Sequence, residues 1–297
     1  MTTTVMTGAT AGLGEHAAKL IAAVPTSRVI IGARGGRSGP EGTESLPLDL
    51  NSLDSVRTFA EAVRERLGGA PIDMLVLNAG LQFSNAEQRS ADGFEATFAV
   101  NHLAHYLLAR LLLPNIAEGG RLVITTSDTH DPAIIPMAPK TLVPQALAYP
   151  GRGGTTSGFH AYSSSKLCNL LTARSFAARD DVCQRHIRII AYNPGLTLGT
   201  SLSRTAPSWV GGLMTSSPVR GILRFASRFK SALYPGTPER AGEVLAALAL
   251  GTVEPPPGRV YASLVRSELT FPDPSKLAQS DEARDRLWRE SATMVGL

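Results

Sequence analysis

Apolar and polar positions along this chain alternate between two periods. "TTTVMT" (2–7) has the β-branched run of a strand, and after a glycine turn Leu13, Ala17, Leu20, Ile21 and Val24 recur at helical spacing. "RVIIGA" (28–33) predicts a second strand, followed by a Gly-rich turn and a short strand at "LPLDL" (46–50). A helix over about 52–67 leads into an apolar strand at "DMLVLNAG" (73–80). Then come a long helix over about 94–113, the strand "RLVITTS" (121–127) and an irregular Pro/Gly-rich stretch over about 131–158. A helix carrying Tyr162, the strand "IRIIAYNPG" (187–195), the helix "PERAGEVLAALALG" (238–251), the strand "GRVYASL" (258–264) and a short charged helix at "DEARDRLWRES" (281–291) complete the pattern. Strands alternating with helices predict an α/β fold, a parallel sheet covered on both faces. No repeat or low-complexity linker divides residues 1–297, so one domain is expected.

Composition narrows the function classes. Of 297 residues, 43% are hydrophobic and 18% charged, which suits a globular core. The net charge of +4 is spread over scattered arginines without a lysine-rich block, so no nucleic-acid partner is expected. Cys168 and Cys183 have no metal-binding or redox spacing and are expected to be reduced and buried. The first residues lack the pattern of a signal peptide. The apolar stretch "FAVNHLAHYLLARLLLP" is broken by Asn101, His102, His105 and Arg110, so no membrane span and a cytoplasmic location are expected. His102 and His105 are read as packing residues, and no metal site is expected.

"TGATAGLG" (7–14) falls at the first strand–helix junction, with Gly8, Gly12 and Gly14. Glycines there let backbone turn tightly against a pyrophosphate, whose charge the following helix N-terminus favours. At the end of the second strand an NAD site usually offers a carboxylate to the ribose. Here Arg34 and Arg37 stand instead, and the first acid is Glu41. A guanidinium forks onto a phosphate, so NADP(H) is the expected cofactor. Asp49 is placed to accept from an adenine amino group, or is a turn residue.

These pieces, with "DL" at 49–50, "NAG" at 78–80, Asn101, "TTS" at 125–127, Tyr162 and Lys166 four residues apart, and "NPG" at 193–195, resemble the short-chain dehydrogenase/reductase family. The resemblance covers residues 2 to about 200 in family order and implies a Rossmann-type, doubly wound, seven-stranded parallel sheet and nicotinamide-dependent oxidoreduction. It implies Tyr162 as the catalytic acid/base, Lys166 as its electrostatic partner, Ser127 as the donor to the substrate oxygen and Asn101 as a proton-relay residue. For the cofactor it implies Gly8, Thr10, Gly12, Leu13, Gly14, Asp49, Leu50, Asn78, Ala79, Gly80, Tyr162, Lys166, Pro194, Gly195 and Thr197. The physical reading agrees: four residues apart on a helix, Tyr162 and Lys166 share a face, and an ammonium favours phenolate. Thr125 and Thr126 are competing hydroxyls, and Ser127 is preferred because it ends the strand. Asn101 has a plainer alternative, an amide bonded to backbone.

"NHLAHYLL", "SKLCNLL" and "RLWRESATMVGL" look like the retinol dehydrogenase and protochlorophyllide reductase branches, so the tail is expected to belong to the domain. Light-dependent protochlorophyllide reductases carry a cysteine directly after the "PG" of the sixth strand; this chain has Leu196, which argues against pigment reduction. The long interval from Ser127 to Tyr162 and the region 197–236 are read as walls of the substrate pocket, the latter a helical lid. Apolar residues there suggest an apolar carbonyl or alcohol substrate. Reduction of a conjugated C=C bond, an idle NADP-binding regulator, and a scaffold dimerising through the long helices near 101 and 170 are the alternatives. Within the lid, Ile222, Ala226, Phe229 and Leu233 predict an apolar face opposite Arg220, Arg224 and Arg228. That basic stripe is either a solvated face or a site for an anionic group or lipid surface.

Overall fold

The computed structural model describes residues 2–151, 154, 156–198, 217–228 and 230–297. β1 (Thr2–Thr7), β2 (Ser27–Ala33), β3 (Thr43–Pro47), β4 (Ile72–Leu77), β5 (Ile116–Thr125), β6 (Arg188–Asn193), β7 (Tyr261–Val265) and β8 (Glu268–Thr270) form one sheet in the order β3-β2-β1-β4-β5-β6-β7-β8. Neighbours run parallel up to β7, and β8 returns antiparallel to it. The expected seven-stranded sheet therefore carries an eighth strand. Its Ser267 and Arg266 adopt positive φ, a tight hairpin that residue type did not announce.

The helices are α1 (Gly12–Ala22), α2 (Leu53–Leu67), α3 (Ala96–Phe98), α4 (Ala104–Leu112), α5 (Pro144–Ala148), α6 (Ser157–Ala177), α7 (Asp180–Gln184), α8 (Ser217–Ala226), α9 (Pro238–Leu250), α10 (Lys276–Gln279) and α11 (Asp281–Met294). Alternate strand residues feed two cores, because strand side chains point to opposite faces. Val5, Ile30, Leu75 and Leu77 pack with Phe59 of α2, Leu107 of α4, Leu170 of α6 and Leu287 of α11. Met6, Ile31, Val76 and Ile190 pack with Ile21 of α1 and Leu245 of α9. Helices on both faces make the fold doubly wound. The strand order reverses between β1 and β4, and that is where such sheets open a ligand crevice.

Three boundaries differ from the sequence reading. β3 begins earlier, at Thr43, and ends at Pro47, the second residue of "LPLDL": Leu48 still donates its N–H to Ala33 O, then fills the space left by Gly32, where a Cβ would lie 2.3 Å from Leu48 Cδ2. The helix expected over 94–113 is interrupted by a π turn, Ala99–Leu103. The irregular 131–158 stretch contains α5 and the start of α6. Of the expected lid, Thr197 bridges to Gly236 and Gly236 donates to Leu196 O at 2.8 Å, pinning the ends together. Residues 199–216, Phe229 and the side chain of Arg220 lie outside the described residues.

The two long helices near 101 and 170 share a cover on one side. The chain's own α11 lies over them, with Trp288 edge-on to Tyr106 at 5.0 Å and to Phe176 at 5.1 Å. Tyr106 OH donates to Trp288 O, His102 Nε2 pairs with Ser291 Oγ at 2.8 Å, and Arg174 bonds Asp281. The tail thus belongs to the domain. Both cysteines are free; Cys168 is buried, but Cys183 is exposed, against expectation.

Candidate active site

The glycine turn closes where β1 ends. Gly8 has φ +69°, and a Cβ on Gly14 would stand 1.9 Å from Gly8 O, so no larger residue fits there. Asn78, at the end of β4, fastens this turn to β5: its Nδ2 donates to Gly8 O at 3.1 Å and its Oδ1 accepts from Thr125 Oγ1 at 3.0 Å. Thr7 Oγ1 accepts from the N–H groups of Asn78 and Ala79. The same hydroxyl lies 3.0 Å from His105 Nε2, while His105 Nδ1 lies 3.1 Å from Asn101 O. A carbonyl only accepts, so Nδ1 carries the proton and Nε2 accepts from Thr7. Burial holds His105 down to about 4 and His102 to about 3, so both are neutral. Thr7 and His105 are structural parts of the site that sequence reading left as strand and packing residues. Among the described residues no cluster could hold a metal ion.

Two adjoining cavities open along the carboxyl ends of the strands. One, of about 340 Å³, has Gly8, Thr10, Arg34, Arg37, Asp49, Leu50, Ala79 and Gly80 in its walls. Arg34 and Arg37 are exposed there without a carboxylate partner among the described residues, while Asp49 Oδ1 accepts from Asn51 N. The other, of about 450 Å³, shares Gly8, Thr10, Arg37, Ala79 and Gly80. It adds Gly12, Leu13, Gly14, Asn78, Ser127, Tyr162, Lys166, Pro194, Gly195 and Thr197, with Ile135, Phe159 and Leu233 as apolar wall.

Within this second cavity the three hydroxyls of "TTS" separate. Thr125 Oγ1 is committed to Asn78, and Thr126 Oγ1 donates to Lys166 O at 2.6 Å. Ser127 Oγ accepts from Thr129 N at 3.3 Å and points its proton toward Asp128 Oδ1 at 3.4 Å. The Ser127 hydroxyl favours the phenolate of Tyr162. Lys166, 2% exposed, donates to Thr125 O at 3.2 Å, and its Nζ lies 5.7 Å from the Tyr162 ring centre. Burial lowers the ammonium to about 8. Burial also raises the Tyr162 phenol well above its ordinary value, opposed by the Ser127 hydroxyl and reinforced by Asp128. Burial, rather than Lys166, governs the phenol. That differs from the sequence expectation of a lowered value.

Asn101 stands behind the cavity. Its π turn aims the amide at the chain after β4: Oδ1 accepts from Leu81 N at 2.8 Å, and Nδ2 donates to Leu81 O and Ser165 Oγ. Ser165 in turn donates to Tyr162 O. The side chain therefore fastens the chain after β4 to the helix of Tyr162. Asp128, which sequence reading passed over, is half-buried beside Ser127 with its carboxyl raised by desolvation, and nothing in its spacing announces it.

Residues 2–137 match the family model for short chain dehydrogenase. Protochlorophyllide reductase of Pisum sativum is 34% identical over 229 residues, covering 67% of this chain and 57% of that protein. The WW domain-containing oxidoreductase of Drosophila melanogaster is 28% identical over 307 residues, covering 99% and 68%. A crystal structure from Mycobacterium Paratuberculosis superposes with a TM-score of 0.70 at 25% identity, covering 100% of this chain and 94% of that one. A short chain dehydrogenase from Burkholderia cenocepacia in complex with NADP gives 0.57 at 20% identity, covering 84% and 90%. The chain belongs to the short-chain dehydrogenase/reductase family. It spans a little over half the length of the protochlorophyllide reductases it matches.

Proposed function

We propose that this protein is an NADPH-dependent oxidoreductase that reduces a carbonyl on a largely apolar small molecule. One observation carries the reading: Tyr162, Lys166 and Ser127 line one cavity with the glycine turn, while the neighbouring threonine hydroxyls are committed elsewhere. The residues fit the cofactor. A tight turn packed to the limit at Gly14 leads into α1, and two guanidiniums without a carboxylate rival lie where a 2′-phosphate would be recognised. Leu50 and Asp49 border the same space and suit an adenine.

Bound there, NADPH would supply the hydride for the carbonyl carbon. Tyr162 donates its phenolic proton to the oxygen, completing the alcohol. Its raised pKa keeps that proton in place at neutral pH, the form a reductase needs. Ser127 turns its hydroxyl from Asp128 to the same oxygen and fixes its position. Lys166, an ammonium below about pH 8, offsets the phenolate left behind. Ile135, Phe159 and Leu233 exclude water and favour an apolar substrate. Asn101 serves as a positioning group through Leu81 and Ser165.

The test is NADPH oxidation followed with a panel of aldehydes, ketones and enones. Turnover of carbonyls, declining as pH rises past about 8, supports the reading. Turnover confined to enones with the C=C bond reduced would replace it with double-bond reduction. No turnover with any class, despite tight NADPH binding, would favour an idle binding protein.

A further inference from the structure

Carbonyl reduction needs Ser127 to donate to the substrate oxygen, yet its hydroxyl points at Asp128 Oδ1, 3.4 Å away. That length is beyond a full-strength O–H···O bond, so the carboxyl holds the hydroxyl loosely. A serine oxygen has one proton to give and two lone pairs to fill. Thr129 N fills one of them at 3.3 Å. Asp128 is placed to fill the other when its carboxyl carries a proton. The Ser127 proton is then free to turn into the cavity.

The surroundings of Asp128 favour the acid. It stands between two cavities, the one holding Tyr162 and Lys166 and a neighbouring one of about 230 Å³. Desolvation raises its carboxyl above the ordinary value; the Ser127 hydrogen bond opposes this, and the like charge of Asp131 adds to it. No described cation neutralises it. Arg266, in the wall of the smaller cavity, donates to Ser227 O at 2.7 Å, and Lys166 donates to Thr125 O at 3.2 Å. Asp273 and Tyr234 stand in the same wall, and Asp273 pairs with Arg259. His130 Nδ1 lies 2.6 Å from Ser127 O and so carries a proton, while Nε2 accepts from Ser275 N at 3.4 Å. Burial lowers that imidazole and raises the phenols of Tyr162 and Tyr261, so all three are neutral at pH 7. Proton transfer from Tyr162 also leaves a phenolate, which an ionised Asp128 would repel.

We propose that Asp128, as a carboxylic acid, donates to Ser127 Oγ and thereby turns the Ser127 hydroxyl onto the substrate oxygen. It is a positioning residue, and its role rests on the carbonyl-reducing reading above. Asp128→Asn tests it, because an amide N–H can donate to Ser127 at every pH. In the parent, kcat for a carbonyl should fall about tenfold as Asp128 ionises, less than the roughly hundredfold for a donor that itself touches the oxyanion. The asparagine variant should lack that limb and keep only the decline past about 8 set by Lys166. Asp128→Ala should run about tenfold below the asparagine variant, kcat and kcat/KM falling together, with NADPH affinity and thermal unfolding as in the parent. A merely structural aspartate would give the asparagine variant a pH profile parallel to the parent's, and that result overturns the proposal. Protonation is read without turnover from the infrared C=O band of the acid, assigned by its absence in the asparagine variant. Loss of that band should be centred above pH 3.8, the ordinary midpoint. A midpoint at or below that value overturns the proposal even if carbonyls are reduced. A raised midpoint in a protein that reduces no carbonyl overturns the catalytic reading, and the role at Ser127 with it.

Discussion

Lys166→Met replaces a buried ammonium by a side chain of similar length without charge. Lys166 is 2% exposed, and burial moves it from 10.5 to about 8. The folded protein then binds fewer protons than the unfolded one between those values. Its contribution to stability is full above pH 10.5 and lost as pH falls through about 8. At about 1.4 kcal/mol per pH unit, the charged lysine destabilises the native state by roughly 3 kcal/mol at pH 7. Methionine removes that penalty and also removes one hydrogen bond to Thr125 O, worth about 1 kcal/mol. Asn169 continues to donate to the same carbonyl at 3.0 Å, so no acceptor is orphaned. Urea unfolding at pH 7 should therefore show the variant more stable by about 2 kcal/mol, with the gap closing as pH rises above about 8. Turnover should be lost in the same variant. A variant less stable than the parent at pH 7, or a gap independent of pH, would refute the reasoning.

Other consequences are as direct. NADPH should bind at least about tenfold more tightly than NADH, and Arg34→Ala should narrow that ratio by weakening NADPH; equal affinities in a titration contradict it. His102 and His105 are held neutral far below 6.5, so the stability they contribute is present above that pH and lost as pH falls toward about 3 and about 4 respectively. By pH 5 each should have removed about 2 kcal/mol relative to pH 7, and His102→Gln should recover its share in urea titrations at the two pH values.

The parts legible in the sequence share a physical cause. Successive strand positions such as Leu75 and Val76 are buried on opposite faces of the sheet, so the strands read as continuous apolar runs. The glycine turn is legible because only glycine tolerates the approach at position 14. What could not be read depended on distant partners. α6 is buried on most of its circumference, so its period says little, and its cover, α11, comes from the far end of the chain. The choice of Ser127 among three hydroxyls rests on Asn78 and on the Lys166 carbonyl, each about forty residues away or more. The apolar positions of α8 predicted an inward face, yet periodicity shows amphipathicity without saying which side meets protein. The pKa of Tyr162 follows its burial, which a Tyr–Lys spacing does not report.

The central claim is that Tyr162 protonates the substrate oxygen. Its most direct test is single-turnover NADPH oxidation by Tyr162→Phe against the parent, on a carbonyl substrate from the panel, with NADPH affinity titrated in the same preparations. The rate should fall by about two orders of magnitude or more while NADPH affinity stays within about twofold. Parental turnover in the phenylalanine variant would contradict the account, because the proton would then come from another group.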